Sequence, residues 1–127
     1  MNVERLILTC EHAGNIIPSA WKQRFKAPLE VLKSHRGIDI GAKEIAFSLE
    51  KKLNCPFFYH ETTRLLIELN RSLHHPKLFS EYSKNFTKEE KKDLIDTVYF
   101  PYRNEIEQFI HQKVKSGPVL HLSVHTF

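Results

Sequence analysis

The chain has 127 residues, of which 41% are hydrophobic and 27% charged, as in an ordinary globular protein with one hydrophobic core. Its apolar runs are too short to span a membrane and its N-terminus lacks a secretory signal, so we expect a cytoplasmic protein that does not engage membranes. The net charge of +4 is scattered, and the densest charged run, residues 88–93, mixes both signs. Nucleic-acid binding needs a one-sided basic stripe, which the sequence does not show.

The first half of the chain predicts a strand, a helix and a second strand. Residues 5–10 and 56–60 are short apolar runs, which indicates strands, and residues 38–53 between them carry apolar side chains at helical spacing. Residues 64–69 predict a third extended segment. Cys10 and Cys55 lie at the edges of apolar runs, which favours reduced, structural thiols.

The second half predicts a long helical region and a final strand. Thr87 followed by Glu90 is the pattern of a helix N-cap, and apolar residues continue at helical spacing to a Gly117-Pro118 stop. Pro101 predicts either two helices or one helix that is kinked there. Residues 119–124 predict the last strand.

This order of elements predicts one α/β domain over residues 1–127, with a mostly parallel sheet flanked by helices. Ligands of such sheets gather at the carboxyl ends of the strands. His12 follows the first predicted strand and His125 follows the last one. In the loop that carries His12, we expect Gly14 and Asn15 to supply tight or left-handed backbone geometry.

Residues 72–86 form the longest segment without a regular pattern. A loop of this length is either a lid or binding loop, or a surface excursion, and both readings stay open.

Five segments, taken together, resemble the N-formylglutamate amidohydrolase family, and they occur in the order found there. They are Cys10-Glu11-His12-Ala13-Gly14-Asn15, Asp39-Ile40-Gly41-Ala42, residues 63–72, Tyr99-Phe100-Pro101-Tyr102 and residues 121–127. The resemblance implies a zinc hydrolase of a small amide, with a phosphorylase/hydrolase-like fold akin to that of the zinc carboxypeptidases. Family members are longer than this chain, so it resembles their N-terminal half or a shortened member, and the domain is expected to be incomplete at its C-terminus.

The resemblance and the chemistry of amide hydrolysis together assign roles to four residues. Zinc with three protein ligands and one open position activates water near neutral pH, and we predict His12, Asp39 and His125 as the ligands. Glu11, or a later carboxylate, would accept the proton. Alternatively, His12 stabilises its turn, Asp39 caps the following helix, and His125 is a packed core imidazole.

Substrate carboxylates are predicted to bind Arg64, Asn70 and Arg71, with Asn15 added from the loop of His12. N-formylglutamate is a dicarboxylate, and a planar guanidinium binds a carboxylate through two hydrogen bonds. The Asn70-Arg71 pair matches the adjacent asparagine and arginine that hold a substrate carboxylate in the zinc carboxypeptidases. The alternative is a surface arginine paired with Glu68 or Glu61.

Two positions depart from the family pattern: Arg103 stands where a histidine is expected, and Ser123 where an acidic residue is expected. The alternative to an enzyme is therefore a catalytically silent α/β module that binds small carboxylates or a partner protein. The last strand is expected to leave an apolar edge, through which the chain forms a homodimer around residues 121–127 unless a longer polypeptide covers it. On either branch we expect little amidase activity from this chain alone.

Overall fold

The computed structural model describes residues 5–127, and in that range it shows one sheet of three parallel strands. The strands are β1 (Leu6–Cys10), β2 (Phe57–Tyr59) and β3 (Leu120–Ser123), with β1 in the centre. Leu8 of β1 is in register with Phe57 on one side and Leu122 on the other. The predicted α/β architecture with parallel strands is confirmed.

Helical segments connect these strands. In chain order they are a 3-10 turn at Ser19–Trp21, α1 (Leu29–Leu32), α2 (Ala42–Leu53), α3 (Lys88–Leu94), a π-helical turn at Ile95–Tyr99, and α4 (Phe100–Val114). None of the helices in the described range is both long and apolar enough to cross a membrane.

Helix α2 begins later than the periodicity predicted. Gly41 adopts φ of 83° at its N-cap, a left-handed conformation that L-residues with side chains rarely take. Residues 38–41 therefore form a turn ahead of the helix, and this turn carries Asp39. The left-handed Asn54 ends the helix, with its N–H donating to Glu50 O.

The predicted extended segment at residues 64–69 is wrong, because no strand forms there. The Thr63 hydroxyl donates to Gly37 O and accepts from the Leu65 N–H, which holds the chain in a turn. The Leu65 carbonyl is satisfied by Ser80 and Ser83 hydroxyls instead of a neighbouring strand. The apolar side chains of this segment pack into the core, which explains its strand-like composition.

The long helical region starts at the predicted cap and continues as two α-helices joined by a π-helical turn. Thr87 and Glu90 form a complete capping box at the start of α3. Pro101 lies in the first turn of α4, directly after the π-helical turn. Proline supplies no N–H, and the wider turn ahead of it absorbs the missing hydrogen bond without ending the helix.

The sheet has two packed faces. Leu6, Leu8 and Cys10 alternate toward α2, where they meet Ala42, Ala46 and Cys55 in two small clusters. Ile7 points to the opposite face, into the main core with Leu66, Leu94 and Ile106. Cys10 and Cys55 are both buried and free, as predicted.

Strand β3 leaves the exposed apolar edge that the sequence predicted. It pairs with β1 on one side, and all four of its residues are exposed, with Leu120 at 43% and Leu122 at 40%. Helix α2 packs against β1.

We expect the chain to dimerise through this edge, because exposed apolar strands template further pairing. Replacing Leu120 and Leu122 with Lys should shift the protein toward monomer in light scattering, whereas Lys at the exposed Leu29 of α1 should not. A wild-type chain that stays monomeric at high concentration would contradict this prediction.

Candidate metal centre

His12, Asp39 and His125 come together at the carboxyl end of the sheet. One potential ligand atom from each residue lies within 4.8 Å of the others. His12 and Asp39 are buried, and His125 is partly exposed. Two imidazoles and a carboxylate at this spacing could hold a metal ion.

The local chain path explains how three distant segments meet. His12 and His125 follow β1 and β3, which are adjacent and parallel, so their ends emerge side by side. Asp39 is tied to the same place because its N–H donates to His12 O at 3.2 Å. Of the tight or left-handed geometries predicted for Gly14 and Asn15, neither residue takes the left-handed one. A Cβ at Gly14 would lie 2.7 Å from Glu61 O, so glycine is needed there for close approach of the two segments.

The two imidazoles are oriented in the same way. The Nδ1 atoms of His12 and His125 lie 3.2 and 2.7 Å from the same Asp39 oxygen, Oδ2. Their rings meet edge to face, with centroids 4.9 Å apart. Each Nε2 atom points away from Asp39, toward a different buried carboxylate.

The carboxylate behind His12 is Glu68, for which the sequence suggested no role in the site. Its Oε1 contacts His12 Nε2 and accepts the Asn70 N–H, while Oε2 pairs with Arg64 at 2.8 Å. Burial by itself raises the pKa of Glu68, but the hydrogen bond and charge of His12 and the charge of Arg64 outweigh it and lower the pKa to about 2. An acidic residue inside the apolar run 65–69 was the available signal, because buried carboxylates need partners.

The carboxylate behind His125 is Glu11. Its Oε1 accepts the Ser123 hydroxyl and lies 3.4 Å from His125 Nε2, and its Oε2 accepts the Tyr102 hydroxyl at 2.5 Å. Burial opposes ionisation, yet hydrogen bonds from His125, Ser123 and Tyr102 lower the pKa of Glu11 to about 2. The hydrogen bond with Glu11, although opposed by burial, also raises the pKa of His125.

His60 lies behind Tyr102, with ring centroids 5.5 Å apart, and its Nε2 is buried without a hydrogen-bond partner among the described residues. Desolvation lowers its pKa, and the nearby Glu61 only partly offsets this.

A folded-state pKa below the unfolded value means that the unfolded chain takes up a proton first as the pH falls. His60 should therefore cost stability progressively below about pH 6.5. In His60→Phe we expect the unfolding free energy, measured in urea, to fall less between pH 7 and pH 5 than in wild type. Equal losses in both proteins would refute this.

An open cleft of about 760 Å³ lies next to Glu68 and Arg64. Its charged lining residues are mainly cationic, because Arg36, Arg64, Arg71, Lys77 and Lys84 outnumber the two carboxylates of Glu68 and Glu81. The remaining lining residues are His35, Leu65, Pro76, Phe79, Ser80, Thr126 and Phe127. The loop 72–86 supplies six of these side chains while burying Leu78 and Phe86 in the core. It is therefore a packed loop that forms one wall of the cleft.

The predicted carboxylate-binding residues fall into different places. Arg71 and Arg64 both line the cleft, but Arg71 is exposed, whereas the Arg64 guanidinium is paired with Glu68 and lies 3.6 Å from Asp39. Asn70 is exposed beside Arg71, and it does not line the cleft. The Asn15 amide donates to Leu32 O at 3.0 Å, so the structure does not bring this side chain to the cleft.

Arg103, which departs from the family pattern, holds the segment that carries Arg71. Its Nη1 donates to Leu69 O and Arg71 O, at 3.0 and 3.1 Å. The Tyr99 hydroxyl donates to the same Arg71 carbonyl at 2.7 Å. The start of α4 thus fixes the backbone of residue 71 and leaves its side chain free to face the cleft.

A search of solved structures finds a similar fold in the crystal structure of the gene product Atu2144 from Agrobacterium tumefaciens, with a TM-score of 0.86 and 23% sequence identity. The match covers all of this chain and 55% of that one, so the chain spans about half the length of this relative. No curated protein matches significantly. The family model for N-formylglutamate amidohydrolase matches residues 4–127. The chain therefore belongs to the N-formylglutamate amidohydrolase family.

Proposed function

We propose that this chain carries the metal centre of a zinc-dependent amidohydrolase, which hydrolyses N-formylglutamate or a related N-acyl amino acid. The observation that carries the proposal is the common orientation of His12 and His125, with Nδ1 toward Asp39 and Nε2 toward a buried carboxylate. Histidines that bind metals typically donate their second N–H to such a carboxylate, which fixes the ring and makes the ligating nitrogen more basic.

The donor set fits zinc. Two imidazoles and one carboxylate are a common protein complement of a catalytic zinc site, which keeps one position open. Three carboxylates, those of Glu11, Asp39 and Glu68, surround the two imidazoles, and Arg64 is the nearest permanent cation. A divalent cation at the centre would balance this negative charge. Burial and the charge of Glu11 raise the pKa of Cys10 to about 11, which disfavours a thiolate ligand.

When bound, zinc would polarise the amide carbonyl and supply an activated water. The residues of the chain would hold the ligands and orient the substrate. Glu68 would hold the His12 ring, and Arg71, on a backbone held by Tyr99 and Arg103, would orient a substrate carboxylate in the cleft that it lines. The role of Glu11 as proton acceptor stays a prediction; both of its oxygens already accept hydrogen bonds, and it does not line the cleft.

The test is to measure zinc content and N-formylglutamate turnover on one preparation. We expect one zinc per chain and slow turnover that disappears with a chelator and returns with zinc. It should be slow because the resemblance to the zinc carboxypeptidases implies a general base in the second half of the fold, and a missing base costs about 10²- to 10⁴-fold. Turnover whose rate does not change when the chelator is added would overturn the proposal.

A second candidate is a carboxylate-binding module without catalysis. The cleft that Arg71 lines favours this candidate, because its arginine and lysine side chains could bind a carboxylate without a metal. Tight binding of glutarate by protein that has neither zinc nor turnover would select this candidate.

A further inference from the structure

Tyr102 contacts Glu11, the buried carboxylate that lies behind the candidate ligand His125. It lies near the start of α4, is 6% exposed, and donates its hydroxyl to Glu11 Oε2 at 2.5 Å. The proposed reaction does not use this residue. It belongs nevertheless to the Tyr99-Phe100-Pro101-Tyr102 segment, one of the five that carry the family resemblance.

The backbone ahead of Tyr102 is unusual. The π-helical turn Ile95–Tyr99 widens the helix by one residue immediately before Pro101. Such a turn rotates every side chain that follows it, and π-turns inside helices occur frequently at functional sites. Here the rotation directs Tyr102 toward the carboxyl end of β1, where Glu11 follows the strand.

Glu11 is held from two sides. Tyr102 occupies one oxygen, and the Ser123 hydroxyl donates to the other. The Ser123 Oγ also lies 2.8 Å from His125 Nε2, so it can accept that N–H while it donates to Glu11. The four residues form a continuous chain of hydrogen bonds, from Tyr102 through Glu11 and Ser123 to His125.

This chain of contacts fixes how His125 presents its other nitrogen. With Nε2 held by Ser123 and Glu11, Nδ1 faces Asp39 Oδ2 at 2.7 Å. A partly exposed histidine such as His125 can otherwise rotate about χ2, and a ligand that must be ordered on binding holds the metal less tightly. His125 is the more exposed of the two histidines, so it needs this restraint more than His12 does.

We propose that Tyr102, Glu11 and Ser123 form a clamp that positions His125 as a metal ligand. In this role Glu11 is a positioning residue. Ser123, which stands where an acidic residue is expected, connects the Glu11 carboxylate to the His125 ring through its hydroxyl. The inference rests on the proposed metal centre and is independent of the substrate and of the hydrolysis step.

The test compares three variants with two controls. Tyr102→Phe and Ser123→Ala each remove one hydroxyl of the clamp, and Glu11→Gln removes its charge. Tyr99→Phe is the matched control, because it removes a buried tyrosine hydroxyl from the same helical region that contacts Arg71 O instead of Glu11. Ser123→Thr retains the hydroxyl and serves as the rescue variant.

Zinc affinity, measured by competition with a chromophoric chelator, should fall about 10- to 100-fold in each of the three clamp variants, the usual effect of losing a partner of a metal-bound histidine. Tyr99→Phe and Ser123→Thr should bind zinc like wild type. Urea unfolding of the same variants distinguishes a specific loss of zinc affinity from a general loss of stability. Wild-type affinity in folded Tyr102→Phe and Ser123→Ala would overturn the proposal.

Nitrogen-15 spectra of the histidine rings in metal-free protein provide a readout that does not need zinc. The clamp predicts that the His125 Nε2 signal changes in Ser123→Ala and Tyr102→Phe, while the His12 signals stay in place. Unchanged His125 signals would overturn the clamp. Absence of zinc binding in wild type would instead overturn the proposed metal centre, so the two failures are distinguishable.

Discussion

Replacing His12 or His125 with Ala should remove most of the bound zinc. Each substitution deletes one of three predicted ligands, and the two that are left rarely hold zinc against water and competing chelators. His12→Ala should have an additional effect, because it leaves the buried Glu68 without its imidazole partner. Elemental analysis after dialysis measures the metal content directly.

The matched control is His111→Ala, which removes an exposed histidine on α4. It should retain zinc at the wild-type level. Unchanged zinc content in both His12→Ala and His125→Ala would show that the ion, if bound at all, is held elsewhere.

Replacing Arg71 with Lys should weaken binding of a dicarboxylate by roughly 1 to 3 kcal/mol, or about 5- to 150-fold in Kd. Lysine keeps the positive charge but loses the planar fork that forms two parallel hydrogen bonds. Because Arg71 N–H and C=O are held by Glu68 O, Tyr99 and Arg103, the backbone should stay in place and the loss should report on the side chain.

Calorimetry with glutarate or N-formylglutamate measures this effect. Arg24→Lys is the control, because Arg24 is an exposed arginine that pairs with Glu90 and does not line the cleft. Equal affinity of wild type and Arg71→Lys would refute a role for Arg71 in reading the carboxylate.

Local patterns predicted the regular elements well. Strands β1 and β2 were recognised from apolar runs, and the capping box of Thr87 and Glu90 fixed the start of α3 to the residue. Both signals depend on interactions between residues close in sequence, so the sequence carries them in full. The segment 64–69 failed because the same apolar composition suits a buried turn, whose backbone partners, such as Ser80, come from a remote loop.

The metal-centre residues could be predicted for a related reason. His12 and His125 each follow a predicted strand, and parallel strands bring their carboxyl ends together, so topology alone implies that these residues meet. Placing Asp39 with them needed the family resemblance, because a carboxylate in a turn is otherwise as consistent with a helix cap.

The sequence by itself determined the fold class, the main helices and strands, and the two histidines that converge at the end of the sheet, and its family resemblance added Asp39. The tertiary structure alone decided what surrounds them: Glu68 behind His12, the path from Tyr102 through Glu11 and Ser123 to His125, and the separation of Asn15 from the cleft. The physical reason is that backbone patterning is set by neighbours in sequence, whereas the partners of a buried polar group are set by which distant segments pack against it.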